Sequence, residues 1–550
     1  MKILKVLALV ALLLVGLGVL AWSNRSTVLG LIAQARLPDV APNRPVTWLE
    51  GPADPPPARR QPNVIFILVD DMGFNDLTLN GGGVAGGAVP TPNMDSLGND
   101  GVIFENGYAG NATCAPSRAS LLTGRYATRF GFEFTPAPVA FQRMVGTEAE
   151  GGAIVQPRFF KERVKDVPPM ESMAVPASEI TIAKLLKQQG YHTLHFGKWH
   201  LGANPGARPE DRGFDESLGF MAGASLFLPV KDKGVVNAKQ PWDPIDRFLW
   251  PNLPYMVQYN GSEMFAPKGY MTDYLTDEAI RSIKANRNRP FFMYFSPNAI
   301  HTPLQAKRED YDALPQIKDH RMRVYAAMVR NLDRNVGKLL QALRDEGLEK
   351  DTLIIFTSDN GGAGYIGLDD INKPYRGWKS TFFEGGIHTP FLMKWPNGMP
   401  SGQRFPHPVG HIDIFSTIAG AAGAPLPTDR EIDGVNLLPY VKGETSERPH
   451  QVMFWRSGQY KAVRDGDWKL QSNEARSKVW LHNLAVDPTE KTDLAAKEPE
   501  RVKAMLAMLA EQDARSAKPL WPSLLQGPVF IDHPSGRPQK AGEEYILWDN

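Results

Sequence analysis

The chain has 550 residues, 42% of them hydrophobic, which is enough for a large core and, at roughly 100–200 residues per domain, for about three domains. Its 61 lysines and arginines balance 60 aspartates and glutamates, so charge gives no reason to propose nucleic acid as a partner. A single cysteine excludes an intramolecular disulfide framework and any multi-cysteine zinc site.

Lys2 and Lys5 precede an apolar run from Val6 to Trp22. This pattern predicts export, to the periplasm or to the outer face of a membrane. Two fates stay open for residues 1–35: a signal peptide cleaved after Val19-Leu20-Ala21 or Ala33-Gln34-Ala35, or an uncleaved membrane anchor. No cysteine follows the run, which excludes a lipoprotein anchor. Residues 36–62, centred on Pro55-Pro56-Pro57, read as a stiff proline-rich linker, with the folded part starting at Asn63.

Asn63 to Val69 is an uninterrupted apolar run of strand length, as expected of a strand buried on both faces. Similar runs recur at Tyr191–Phe196, Pro290–Phe295, Thr352–Thr357 and Pro390–Lys394. Helical patterns lie between them at Ile180–Gln189 and Arg321–Leu343, the latter with Val324, Met328, Leu332, Val336 and Leu339 on one face. This alternation predicts an α/β domain over 63–445, with a mostly parallel central sheet flanked by helices. Segments 135–176, 221–268 and 396–408, rich in proline and glycine, read as surface loops. The second carries Trp242, Trp250 and Tyr255, which either stack on a sugar or aryl ring or pack on their own domain. Over 446–550 short strands at Gln451–Trp455, Tyr460–Arg464 and Trp468–Gln471, a hairpin turn at Arg464-Asp465-Gly466-Asp467 and a helix at Pro499–Asp513 predict a smaller C-terminal α+β subdomain.

In open α/β sheets ligands bind beyond the carboxyl ends of the strands. There the sequence places Asp70-Asp71, Gly197-Lys198-Trp199-His200, Ser296 to His301, and Ser358-Asp359-Asn360. Asp70, Asp71, Asp359 and Asn360 are hard oxygen donors suited to calcium or magnesium. Singly, each aspartate serves equally as a turn or capping residue, but two adjacent ones at a strand end repel without a cation. Lys198, His200 and His301 have structural readings of their own; beside a cation they can also bind or protonate an oxyanion.

The most informative stretch is Cys114-Ala115-Pro116-Ser117-Arg118-Ala119-Ser120-Leu121-Leu122-Thr123-Gly124-Arg125. It reads as a helix start that places Cys114 at a positive terminus near Arg118, a setting that lowers a thiol pKa. The stretch resembles the signature Cys-x-Pro-Ser-Arg-x-x-x-Leu-Thr-Gly-Arg of the formylglycine-dependent (type I) sulfatases of the alkaline phosphatase superfamily, matching every fixed position. The resemblance extends through Asn63–Asp71, Gly197 to Gly202, His301-Thr302-Pro303, Thr357 to Gly361, Arg376 to Lys379 with Glu384-Gly385-Gly386, and Ala462 to Leu470 with Asp487-Pro488. His388 stands where many relatives carry arginine, and no role is attached to it.

The resemblance implies an alkaline phosphatase-like fold and an arylsulfatase-like sulfuric ester hydrolase. A maturation enzyme would convert Cys114 to formylglycine. Asp70, Asp71, Asp359, Asn360 and the modified Cys114 would hold one calcium ion, with magnesium as the alternative. Lys198, His301 and Lys379 would contact the sulfate, and Arg118 and His200 would steady the formylglycine hydrate. The substrate would be a sulfated small molecule or saccharide. Two competing readings are a phosphonate monoester or phosphodiester hydrolase on the same scaffold and a non-catalytic, membrane-tethered binding protein.

Overall fold

The computed structural model describes residues 37–54, 61–148 and 153–550. The expected signal or anchor at 1–35 and the Pro55-Pro56-Pro57 stretch lie outside the described residues. Among the described residues no helix is long and apolar enough to cross a membrane.

Asn63–Val69 (β1) is buried along its whole length. Successive side chains of a strand point to opposite faces. Ile65, Ile67 and Val69 therefore enter one core, and Val64, Phe66 and Leu68 enter a second on the other side of the sheet. Each such side chain contributes about 1.5–3 kcal/mol when fully buried. A strand feeding two cores has no polar face, which is why its sequence shows no alternation.

The sheet is completed by Val102–Tyr108 (β2), His192–Lys198 (β3), Glu216–Phe220 (β4), Gln258–Tyr259 (β5), Phe291–Ser296 (β6), Thr352–Ser358 (β7), Phe391–Lys394 (β8) and Gln403–Gly410 (β9), in the order β9-β2-β8-β7-β1-β6-β3-β4-β5. The middle, from β7 through β1, β6 and β3 to β4, is parallel throughout, and β9 runs parallel to β2. β8 is antiparallel to both β7 and β2, and β5 to β4, so the sheet is mixed around a parallel centre.

The larger helices are Cys114–Thr123 (α1), Ile182–Gln188 (α2), Met271–Ala285 (α3), His320–Asp345 (α4), Ile412–Ala422 (α5) and Pro499–Ala514 (α6). α3 and α4 cover one face of the sheet; Val324, Met328, Leu332, Val336 and Leu339 of α4 all join the first core. α1, α2 and α5 cover the other. Toward the C-terminus, Val452–Ser457 (β10), Tyr460–Asp465 (β11), Trp468–Asn473 (β12) and Lys478–Asn483 (β13) form an antiparallel sheet. Met505 and Leu509 of α6 pack on it. Leu525–Phe530 (β14) and Tyr545–Asp549 (β15) then pair antiparallel, and β14 also pairs with Arg158–Phe159 of the main domain.

Four expectations need correction. The expected loop 135–176 contains a helix at Val139–Thr147, and 221–268 contains a strand at Val235–Ala238 and a helix at Pro244–Asn252. Asp243 caps the latter by accepting from Asp246 N at 2.8 Å, ahead of a proline in the first turn, a start signal masked by the surrounding prolines. The 396–408 segment includes most of β9, whose Pro406 and Pro408 are tolerated because β9 is an edge strand with a register shift there. The described part of the 36–62 linker is not a free spacer: Val46 and Trp48 are buried, and Trp48 Nε1 donates to Glu278 at 2.9 Å. An extended segment without hydrogen bonds of its own can still dock side chains on a neighbour, and proline content hides this.

Candidate active site and metal centre

Because β1, β7, β3 and β6 are parallel, their carboxyl ends lie on one edge of the sheet. Asp70 and Asp71 follow β1, Asp359 and Asn360 follow β7, Lys198 ends β3 and Ser296 ends β6. α1 brings Cys114 to the same edge. The helix is buried on all sides, and it ends at Gly124 in the left-handed region (φ 69°). A Cβ there would lie 2.8 Å from Phe415 of α5, so the glycine of the motif is required by both conformation and packing.

The structure brings the expected residues together. Cys114 Sγ lies 3.7 Å from Asp70 Oδ1, 3.8 Å from Asp71 Oδ1 and 3.1 Å from Lys379 Nζ. Lys198 Nζ donates to both Asp70 oxygens at 2.9 Å. Lys379 Nζ donates to the Asp71 oxygens at 2.7 and 2.9 Å. Arg118, fully buried, donates to Asp359 Oδ2 through Nε at 2.9 Å, to Ser296 Oγ at 2.5 Å and to the Lys198 carbonyl at 3.2 Å. Three carboxylates thus face three cations.

Burial sets most of the local proton affinities. It pushes Asp70 up to about 7, with Asp359 adding to the rise against Lys198 and Arg118. Burial acts the same way on Asp71, but Lys379 and His301 hold it below the usual range; Arg118 and Lys198 do so for Asp359. Burial, then the charge of Asp359, pushes the Cys114 thiol up to about 12. This corrects the expectation of a lowered thiol pKa: enclosure and carboxylates outweigh the helix terminus and the lysines. His301 is lowered to about 3, by burial and then by Lys379 and Lys198. His301 Nδ1 donates to the Thr302 carbonyl at 2.6 Å, leaving Nε2 as an acceptor 3.3 Å from Lys379 Nζ. His200 is held well below its ordinary value by burial and the nearby cations, and its Nδ1 is buried without a hydrogen-bond partner.

Asp70, Asp71, Cys114 and His301 each offer a donor atom within 4.8 Å of the others. Asn360 Nδ2 donates to Asp71 Oδ1 at 2.7 Å, whereas its Oδ1 is buried with no partner. An unused amide oxygen beside crowded carboxylates fits a hard divalent cation. His301, expected only at the sulfate, stands within this donor cluster.

The sulfatase family profile matches residues 62–424, and the N-sulphoglucosamine sulphohydrolase C-terminal profile matches residues 376–516. The chain belongs to the sulfatase family. N-acetylgalactosamine-6-sulfatase of Mus musculus is 34% identical to this sulfatase over 420 residues, covering 75% of this chain and 72% of the mouse protein. Human steryl-sulfatase is 29% identical over 502 residues, covering 78% of each. The crystal structure of Ps i-CgsB in complex with k-i-k-neocarrahexaose superposes with a TM-score of 0.68 at 32% identity, over 84% of this chain and 95% of that one. This sulfatase is a sulfuric ester hydrolase.

The site of the sulfatase opens into a cavity of about 470 Å³ whose floor includes Cys114, His200, His301, Tyr365 and Lys379. Tyr365 was missed in the sequence; its hydroxyl donates to Asp71 Oδ2 at 3.1 Å. The glycine-rich loop after Asn360 was the available signal. Trp242, Trp250 and Tyr255 are not among the lining residues: Trp250 Nε1 donates to Asp246 at 2.9 Å, Trp242 lies under the Arg321 guanidinium, and Tyr255 bonds the Pro267 carbonyl. Other motif residues are structural, with Arg125 paired to Glu179 at 2.7 Å and Ser117 bonded to His411 at 3.0 Å. His388 Nδ1 donates to Glu384 at 2.8 Å and Nε2 to the Glu105 carbonyl at 2.9 Å, so its hydrogen bonds go to neither the carboxylates nor the lysines of the site.

Proposed function

We propose that the chain hydrolyses sulfate monoesters to alcohol and inorganic sulfate at a calcium site in which Cys114 is converted to formylglycine. The supporting observation is the placement of Cys114 Sγ 3.7 and 3.8 Å from Asp70 and Asp71, with Lys379 Nζ at 3.1 Å, on the floor of an open cavity. Asp70, Asp71, Asp359, Asn360 and position 114 would hold the calcium ion, which supplies positive charge for sulfate oxygens. Formylglycine, as its hydrate, supplies a hydroxyl nucleophile where the parent thiol is protonated at neutral pH.

The chain's own groups do the rest. Lys198 and Lys379 meet charge on the sulfate and the departing oxygen in a site already oriented for it. His301 Nε2 accepts a hydrogen bond from the Lys379 ammonium at 3.3 Å, which orients that ammonium as the proton donor toward the leaving alcohol. Arg118 fixes Asp359, and neutral His200, which lines the cavity, is placed to steady the formylglycine hydrate. The substrate is a sulfated small molecule or saccharide; the solved relative holds an oligosaccharide, whereas most residues lining this cavity are apolar. Residues 1–35 support export, to the periplasm or a membrane-anchored position outside the cytoplasm, and a formylglycine-generating enzyme is the implied maturation partner.

Mass spectrometry of the peptide bearing Cys114, after expression with a maturation system, is expected to show formylglycine. Rates on p-nitrophenyl sulfate are expected to exceed those on a phenyl phosphonate ester. An unmodified thiol throughout, or faster phosphonate cleavage, overturns the proposal.

A further inference from the structure

We infer that the alcohol carried by the sulfate ester is a bulky apolar group, aromatic or polycyclic, rather than a multiply sulfated saccharide; this rests on the sulfate-ester reading above. Above Cys114 the cavity is walled by elements distant in sequence. Phe141 and Val145 come from the Val139–Thr147 helix, Phe248 and Leu249 from the Pro244–Asn252 helix, Phe530 from β14 and Trp548 from β15. The Phe141 and Phe248 rings meet edge to face with centroids 5.2 Å apart, joining the two helices. Gly146 lets β14 approach: a Cβ there would stand 3.2 Å from Leu525 Cδ1. All six wall residues are half-buried, while the apolar residues of the central strands β1, β6 and β7 are fully buried. Half-buried aromatic surface gathered at one opening, above catalytic groups, is the pattern of a ligand wall. A volume of about 470 Å³ lies in the range that holds a drug-sized molecule.

Charge points the same way. Among the described lining residues Lys379 is the only lysine or arginine, and its ammonium already contacts Asp71 and Cys114. Glu148 lines the wall paired with Arg247 at 2.8 Å, and the Asp243 carboxylate is engaged in capping its own helix through Asp246 N. A second sulfate would meet no lysine or arginine among the described lining residues beyond Lys379. Two polar side chains of the wall are committed to the backbone: Asn550 Oδ1 accepts from Thr135 N at 2.7 Å and Gln539 Oε1 from Ile154 N at 2.8 Å.

The test measures kcat/KM of the matured protein on three probes: p-nitrophenyl sulfate, a tetracyclic alcohol sulfate and a disulfated disaccharide. The tetracyclic ester is expected to be the best substrate. The free tetracyclic alcohol is expected to inhibit competitively. Phe248→Ala and Phe530→Ala are each expected to lower kcat/KM for that ester by about 10-fold, through KM, with p-nitrophenyl sulfate nearly unaffected. A preference for the disulfated disaccharide, or equal losses on both monosulfates in variants with parental circular dichroism, overturns the inference while leaving the sulfatase reading intact. If the nitrophenyl ester is inert with formylglycine present, the sulfate-ester reading fails and this inference with it.

Discussion

Replacing Lys469 with methionine tests how the C-terminal sheet holds the active-site loop. Lys469 Nζ lies 2.7 Å from Glu384 and 3.1 Å from Glu490, and all three side chains are buried. Glu384 N donates to Glu490 at 2.6 Å, Gly385 N to the Arg376 carbonyl at 2.7 Å and Gly361 N to the Gly386 carbonyl at 2.9 Å, so the loop bearing Lys379 hangs on this cluster. Burial, opposed by Lys469, leaves Glu490 raised to about 7, whereas Lys469 and His388 hold Glu384 below the usual range against burial. Methionine matches the lysine stem but leaves two carboxylates without their ammonium. Removing one partner of a buried ion pair costs about 3–5 kcal/mol. Without Lys469 both folded-state pKa values rise. A carboxyl with a raised folded pKa is stabilising below its unfolded value, and that stabilisation is lost as pH rises through the folded value. The deficit of the variant therefore grows with pH, by about 1.4 kcal/mol per pH unit for each proton involved. Urea unfolding followed by tryptophan fluorescence at about pH 5.5 and about pH 8 measures both quantities. A deficit under about 1 kcal/mol at the higher pH, or one equal at both, refutes the reasoning.

Three further outcomes concern the site itself. Cys114→Ser offers one hydroxyl instead of a hydrate's two, so rapid-quench assays are expected to show at most about one alcohol released per chain, whereas sustained turnover near the parent rate contradicts the proposed role. Lys379→Ala removes the ammonium that contacts both Asp71 and Cys114 and is expected to lower kcat/KM by about 100- to 1,000-fold, with a loss below about 10-fold arguing against charge stabilisation there. Tyr365→Phe deletes the hydroxyl that orients Asp71, and calorimetric titration with calcium is expected to show about 10- to 100-fold weaker binding; an unchanged Kd separates Tyr365 from the metal centre.

Much of the fold and site was legible because each signal was local. The unbroken run Asn63–Val69 marks a strand between two cores, and the spacing from Cys114 to Arg125 marks one buried helix with a left-handed end. Positions 70, 71, 114, 118, 198, 200, 301, 359, 360 and 379 were named from strand ends and from a family resemblance, and the structure gathers them on one edge of the sheet. The errors arose where a local signal competes with a distant one. Cys114 sits at a helix start, yet burial and Asp359 raise its pKa. Proline-rich segments concealed β9 and the docking of Trp48, because edge strands and extended chains tolerate proline when a neighbouring element supplies the contacts.

The sequence by itself determined the parallel centre of the sheet, the residues delivered to its carboxyl edge and the family, since apolar periodicity and motif spacing are properties of contiguous residues. Only the tertiary structure decided the shape and polarity of the cavity. Its walls join residues near 140, 248 and 530–548 through the pairing of β14 with Arg158–Phe159 and the packing of two helices. Such a surface exists only after chain closure across hundreds of residues, so no local pattern encodes it.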